Sequence, residues 1–158
     1  WESVETRELS PGMWEVTATV ANDRLIPTRT ARAADKGIGA PDVLTLQGAK
    51  VVAGGLMGRR TDRAFRAQAA QPAQLRVEQG VPGNGSLAAR FLVQGERGTP
   101  IALSYEADKA VDISTTIKLG DSTLPAPVAH SAQSTSTGWK NRRLKRASSL
   151  FNPKASIR

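Results

Sequence analysis

Few side chains in this chain could support catalysis, and His130 is its only histidine. A Ser-His-Asp arrangement would need it as general base, and a metal site would need carboxylates for every other ligand. Ser131 lies beside it, but the nearest acid in the sequence is Asp121, and no Gly-x-Ser-x-Gly pattern occurs. The absence of cysteine excludes disulfides, thiolate nucleophiles and iron–sulfur ligation. These features favour an ordinary surface or edge-strand histidine over a catalytic one.

Two other patterns resemble chemical sites and have plainer explanations. Glu106, Asp108 and Asp112 cluster around one predicted turn, where solvated acids would balance Lys109 rather than do acid–base work. The glycine-rich residues 36–39 and 54–59 lack the full dinucleotide and P-loop patterns. We therefore predict a protein that is not an enzyme, with no catalytic residue, no metal site and no cofactor.

The C-terminal segment is the part whose composition suggests a function. Residues 139–158 hold seven basic side chains and no acid, whereas residues 1–138 hold 15 basic and 14 acidic side chains. Arginine forks onto phosphate groups, and aromatic rings can stack or insert beside them. The residues predicted to contact a partner or an anion are Trp139, Lys140, Arg142, Arg143, Lys145, Arg146, Phe151 and Lys154.

Three partners fit this segment: nucleic acid, an anionic lipid surface or an acidic protein. A disordered, solubilising tail without a partner is the alternative. Because the positive charge is concentrated at one end, we expect contact through that terminus and not along a whole face.

The elements that would carry these residues are mostly strands, since apolar and polar residues alternate with a period of two. Trp14, Val16, Ala18 and Val20 would face a core after the turn residues Pro11-Gly12. A second strand over residues 25–33 would complete a first hairpin, with Pro27 restricting it to an edge or a strand beginning. The acids Glu2, Glu5 and Glu8 are interpreted as a solvated leader.

Alternation returns later in the chain. The further predicted strands cover residues 51–52, 63–69, 74–79, 86–94, 101–106, 111–119 and 128–137. The clearest hairpin joins residues 101–106 to 111–119 through a turn at 107–109. Residues 34–48 break the alternation and predict a short helix or a loop, and the glycines at 54, 55 and 58 predict a flexible connection.

Strands at this spacing without crossover helices predict a mainly β fold: an antiparallel sandwich, a curled sheet or an open barrel. Residues 1–138 would form this β domain and residues 139–158 a basic tail. In the tail, Leu144, Ala147, Leu150 and Phe151 would line one side of a short basic helix.

One stretch resembles a known family. Ser10-Pro11-Gly12-Met13-Trp14-Glu15-Val16-Thr17 is similar to the Pro-Gly-Leu-Trp-Glu-Val start of a bacterial periplasmic family, domain of unknown function 3617. The likeness extends loosely to Leu103-Ser104-Tyr105-Glu106-Ala107-Asp108 and to Ser136-Thr137-Gly138-Trp139. That family usually carries cysteines that this sequence lacks. The resemblance implies an exported β domain of a Gram-negative bacterium with no catalytic residues to carry over.

We therefore expect a periplasmic or exported β domain. A start at Trp1 fits either removal of a leader peptide or a fragment of a longer chain. It would act as an accessory or structural subunit of a larger assembly, anchored by its basic tail to an anionic surface or an acidic partner. Protein subunits are the expected partners and a membrane surface is a further one. The alternative is a nucleic-acid-associated, virion-type structural protein whose basic arm neutralises phosphate.

Overall fold

The computed structural model describes residues 1–58 and 65–121, which form a mainly β structure. The strands are β1 (Ser3–Ser10), β2 (Met13–Asn22), β3 (Asp42–Gln47), β4 (Lys50–Met57), β5 (Arg66–Ala67), β6 (Gln74–Val77), β7 (Gly85–Gln94), β8 (Pro100–Glu106) and β9 (Ile113–Lys118). A six-residue helix, α1 (Ala31–Lys36), lies between β2 and β3. In these two ranges no helix has the length and apolar character that crossing a bilayer requires.

The strands form two antiparallel sheets that do not close into a barrel. The first sheet has the order β1-β2-β7-β4-β5, and the second has the order β6-β3-β8-β9. The prediction of a mainly β, antiparallel fold is therefore confirmed. Among the described strands, three sequence-adjacent pairs are neighbours in a sheet: β1-β2, β4-β5 and β8-β9. The other connections between these strands cross from one sheet to the other.

Both sheets contribute side chains to a single hydrophobic cluster. Strand alternation places every second residue on the inner face, which is why β2 and β7 bury Trp14, Val16, Phe91 and Val93. The second sheet adds Leu44, Leu46, Leu75, Ile101, Leu103, Tyr105 and Ile117. Antiparallel sheets that share one core in this way form a two-layer β-sandwich.

The first hairpin differs from the prediction. β2 pairs with β1, not with residues 25–33, and the turn at Pro11-Gly12 joins them with Ser10 opposite Met13. Gly12 has a φ of 74°, which suits the third position of a type II turn after proline. β1 lies at the edge of its sheet and is mostly polar, so its alternation is weak. Glu5 and Glu8 belong to this strand, so the interpretation of these two acids as part of a leader is wrong, while Glu2 precedes the strand.

Residues 25–36 form a loop and α1 instead of a strand. The Thr30 hydroxyl accepts a hydrogen bond from the Ala33 amide at the helix start, and Gly37 ends the helix with a φ of 63°. The next segment, predicted as a short helix or loop, is strand β3. Its inward residues are Asp42, Leu44 and Leu46, so an acid begins the buried face.

The glycines of β4 extend a strand rather than ending it. A side-chain carbon at Gly54 would overlap the Pro72 carbonyl oxygen, and one at Gly55 would overlap that of Arg66. These positions need glycine so that neighbouring backbone can approach closely, which the flexible-connection interpretation missed. The strand predicted over residues 63–69 is limited to Arg66–Ala67 within the described residues.

The hairpin of β8 and β9 is confirmed, with Tyr105 opposite Ile113 and Ile101 opposite Ile117. β9 begins at Ile113, and Val111 is 84% exposed instead of facing inward. The strand predicted over residues 128–137 and the basic helix or tail at 139–158 lie outside the described residues.

Candidate functional site

The eight residues predicted to contact a partner all lie beyond residue 121, outside the described residues, and so does His130. Glu106, Asp108 and Asp112 are described, and all three are exposed around the turn between β8 and β9. The Asp112 Oδ1 atom accepts a hydrogen bond from the Ala107 amide, which is a turn-forming contact. Residues 1–58 and 65–121 contain no group of three or more side chains placed to hold a metal ion.

The structure instead shows a buried polar cluster of Thr28, Asp42 and Tyr105. The Thr28 hydroxyl donates to Asp42 Oδ2 at 2.5 Å, and the Tyr105 hydroxyl donates to the same oxygen at 2.6 Å. Asp42 and Tyr105 are only 1% and 2% exposed. These residues come from the loop after β2, the start of β3 and the end of β8, so the cluster ties three separate segments together.

Two polar features of this cluster follow from its burial. Removal from water, reinforced by the hydrogen bond to the Asp42 carboxylate, raises the pKa of the Tyr105 phenol far above its ordinary value. Tyr105 therefore stays a neutral donor even at a pH where an exposed tyrosine would ionise. Asp42 Oδ1 is buried and has no hydrogen-bond partner among the described residues, so the carboxylate is held from one side.

Arg29, next to Thr28 in the chain, fastens the same loop. Its Nη1 atom donates to the Glu78 carbonyl oxygen at 3.2 Å, and its Nη2 atom donates to that of Ile38 at 3.4 Å. The side chain is 7% exposed and also forms an ion pair with Glu78 at 3.5 Å. A buried guanidinium that donates to several loop carbonyl oxygens stabilises the loop. We therefore assign Arg29 the role of positioning this loop at its end of the sandwich.

A cleft of about 950 Å³ opens between the two sheets at this end. Thr28 and Tyr105 are part of its wall, and most of the rest is apolar: Val20, Leu25, Ile26, Val81, Val111 and Ile113. Its charged wall residues are Asp23, Arg24 and Lys109. This size lies within the range of about 300–1,000 Å³ typical of small-molecule sites, which are mostly apolar with a few polar groups.

The loop that carries Leu25 and Ile26 is held rigidly. The Asn22 Nδ2 atom donates to the carbonyl oxygens of Ile26 and Pro82, and the Asn84 amide donates to that of Arg24 at 2.8 Å. Leu25 and Ile26 are nevertheless 84% and 73% exposed. The hydrogen bonds fix the backbone of this loop, and its two apolar side chains are exposed to water at the cleft.

The opposite end of the sandwich is filled. Trp14 is 1% exposed, its Nε1 atom donates to the Gly95 carbonyl oxygen at 3.0 Å, and the Arg97 guanidinium lies 5.4 Å from its ring centroid. Next to it in the chain, Glu15 forms ion pairs with Arg7 at 3.1 Å and Arg90 at 3.5 Å. The Pro-Gly-Met-Trp-Glu-Val stretch is thus explained by packing and charge pairing.

Sequence reasoning missed the polar cluster and the cleft. The available signal was an acid at position 42 in register with Leu44 and Leu46, because a carboxylate on a buried strand face needs partners. Its partners lie 14 and 63 residues away in the sequence, so spacing alone does not connect them.

Comparison with protein families gives a match over residues 1–118 to the model described as Domain of unknown function (DUF8731). The resemblance to domain of unknown function 3617 was therefore wrong, since the matching model is that of a different family. No curated protein matches the chain, and no solved structure matches it.

Proposed function

The chain belongs to this family, DUF8731, whose description names no activity, and we propose that it is a non-catalytic accessory or structural domain. In this proposal the β-sandwich is the body, and residues 139–158 attach it to a larger assembly through an anionic surface or an acidic partner. The observation that carries the proposal is the separation of charge between a nearly neutral body and an end with seven cations and no acid.

The charge pairing inside the sandwich supports this division. Glu8 pairs with Arg97 at 3.1 Å, and Glu78 pairs with both Arg29 and Arg76. Glu15 pairs with Arg7 and Arg90 as well, so these three acids are already engaged by basic side chains of the body. These acids are therefore less available to the cations of residues 139–158, which favours an outside partner for those cations.

The strength of such an attachment can be approximated. Each Lys or Arg near an anionic membrane contributes about 1 kcal/mol, so several acting together suffice for reversible attachment at moderate salt. The attraction decays over a Debye length of about 8 Å at physiological ionic strength. The attachment should therefore weaken steeply as salt is added.

The test reverses charge in the full-length chain. One variant carries Arg142→Glu, Arg143→Glu, Lys145→Glu and Arg146→Glu. Its control carries the same charge change at exposed positions of the sandwich: Arg32→Glu, Lys50→Glu, Arg66→Glu and Lys118→Glu. Circular dichroism should show the same β spectrum for both variants.

Co-sedimentation with vesicles of mixed anionic and zwitterionic lipid, and with an acidic polypeptide, then measures attachment. We expect the first variant to lose it and the control to keep most of it. Equal loss in both variants would show that net charge matters and that location does not, which contradicts the proposal.

The partner class can be read from the wild-type protein purified gently at low salt. Mass spectrometry should find protein subunits or anionic lipid bound to it. Nucleic acid released by salt, with a steep linear fall of log affinity against log salt, would instead establish the phosphate-neutralising arm and replace the accessory-subunit proposal.

A further inference from the structure

The cleft between the sheets has a use that the proposed function does not require. We infer that it binds the hydrocarbon chain of a single-chain amphipathic anion, such as a fatty acid, with the carboxylate near Lys109 at the mouth. The inference goes beyond the tail-anchoring proposal and stands on separate residues.

The apolar lining is the first argument. Leu25, Ile26 and Val111 are among the most exposed large apolar side chains of the described residues, at 84%, 73% and 84%, and all three line this cleft. Apolar side chains gathered at one concave surface are typical of a binding site, whereas single scattered ones are not. A bound hydrocarbon chain would remove them from water.

The rigidity of the wall is the second argument. The Asn22 side chain and the Asn84 amide hold the loop that carries Leu25 and Ile26 in place, and a side-chain carbon at Gly83 would overlap the Leu25 carbonyl oxygen. The cleft is therefore preformed, so a ligand would not have to order this loop on binding.

The chemistry of the inner wall selects a hydrocarbon chain. Thr28 and Tyr105 are polar residues of the lining, but both hydroxyls donate their hydrogens to Asp42. They have no hydrogen to offer a polar ligand. A ligand part that needs no hydrogen bonds fits here without leaving an unsatisfied group.

The charge at the mouth selects an anion. Asp23 pairs with its neighbour Arg24 at 3.7 Å, and both are highly exposed. Lys109 is exposed and has no ion pair or hydrogen bond with any residue in the described ranges. The exposed acids of the same turn, Glu106, Asp108 and Asp112, are not part of the lining and, within the described part of the chain, form no ion pair with Lys109. The unpaired charge of the lining itself is therefore positive, which favours a carboxylate over a neutral or cationic head group.

The experiment uses delipidated full-length protein and saturated fatty acids of 8 to 16 carbons below their micelle concentrations, by isothermal titration calorimetry. Each methylene that enters the cleft should tighten binding roughly fourfold until the cleft is full, after which affinity should level off. The alcohol and the trimethylammonium ion of the same chain length should bind more weakly than the carboxylate. Affinity that is independent of chain length, or undetectable binding, would overturn the inference.

Matched variants locate the site. Leu25→Asp and Val111→Asp should each weaken binding at least tenfold, while Leu9→Asp and Val52→Asp, also exposed but outside the cleft, should not. Lys109→Glu should remove the preference for the carboxylate, and Lys118→Glu should keep it. Equal effects in the cleft and control variants would reject this site.

The two proposals fail separately. The variant reversed at residues 142, 143, 145 and 146 should bind fatty acid as the wild type does, because the cleft is formed by other residues. Loss of fatty-acid binding in that variant would show that residues 139–158 bind the fatty acid and that the cleft is not the binding site.

Discussion

Replacing Tyr105 with phenylalanine tests the buried polar cluster most directly. The substitution removes one hydroxyl and leaves the ring, so packing against the core changes little. It deletes the 2.6 Å hydrogen bond to Asp42 Oδ2. The Thr28 hydroxyl is then the remaining side-chain donor to that oxygen. A hydrogen bond to a charged acceptor contributes about 1.5–3 kcal/mol to stability. At pH 8 we expect the free energy of unfolding to fall by about 2 kcal/mol, or Tm by about 8 °C for a folded region of this size.

The pH dependence makes the prediction specific. The pKa of Tyr105 is higher in the folded state than in the unfolded state, where it is about 10. The neutral Tyr105 hydroxyl therefore contributes its full stabilisation of the fold below pH 10, and this stabilisation is lost as pH rises toward the folded-state pKa. Above pH 10 the wild type should lose up to about 1.4 kcal/mol per pH unit that the phenylalanine variant does not lose. The stability gap between the two proteins should therefore shrink by about 1.4 kcal/mol at pH 11.

Urea unfolding of both proteins at pH 8 and pH 11, followed by circular dichroism, measures this gap. Tyr105 is the only tyrosine in the chain, so absorbance at wavelengths where tyrosinate absorbs reports its ionisation alone. Folded wild-type protein should show no tyrosinate at pH 10.5. A gap below about 0.5 kcal/mol at pH 8, or one of equal size at both pH values, would refute the role assigned to this hydrogen bond.

Two further substitutions examine the framework of the site. Thr28→Val removes a hydroxyl that donates to Asp42 and accepts from the Val81 amide at 2.7 Å, so it should lower the free energy of unfolding by about 2–3 kcal/mol. Thr28→Ser keeps the hydroxyl and should lower it by less than about 1 kcal/mol. Equal losses in urea unfolding would contradict a stabilising role for these two hydrogen bonds. Gly55→Ala should destabilise by more than about 2 kcal/mol because its side-chain carbon would overlap the Arg66 carbonyl oxygen, while Gly37→Ala, with open space around it, should cost about 1 kcal/mol through its positive φ alone. A Gly55 variant with wild-type Tm would show that β5 does not approach β4 as described.

The sequence predicted those strands in which alternation is strong. β2, β7 and β8 each place apolar residues at every second position, and the structure buries most of them. Alternation fails where burial is uneven: β1 is an edge strand, and β3 starts its inner face with Asp42. Residues 25–33 alternate in sequence, yet the Thr30 cap and Gly37 turn their C-terminal part into α1. Local capping and long-range pairing decide such segments.

The candidate site was less accessible from the sequence than the fold. Thr28, Asp42 and Tyr105 meet only because β3 and β8 pair in the second sheet and the loop after β2 crosses to them. No local pattern encodes that meeting. Charge segregation toward residues 139–158, in contrast, is a property of composition and can be read without a structure, and it stays a prediction for those residues.

The central position of β7 has a consequence for how the chain folds. β7 bonds to β2 on one side and to β4 on the other, although it follows β2 by more than 60 residues. Neither β2 nor β4 can gain its main neighbour until residues 85–94 have been synthesised, and such distant pairing slows folding to the range of milliseconds to seconds. Until then, newly made β2 and β4 present unpaired edges beside apolar faces, a state prone to aggregation.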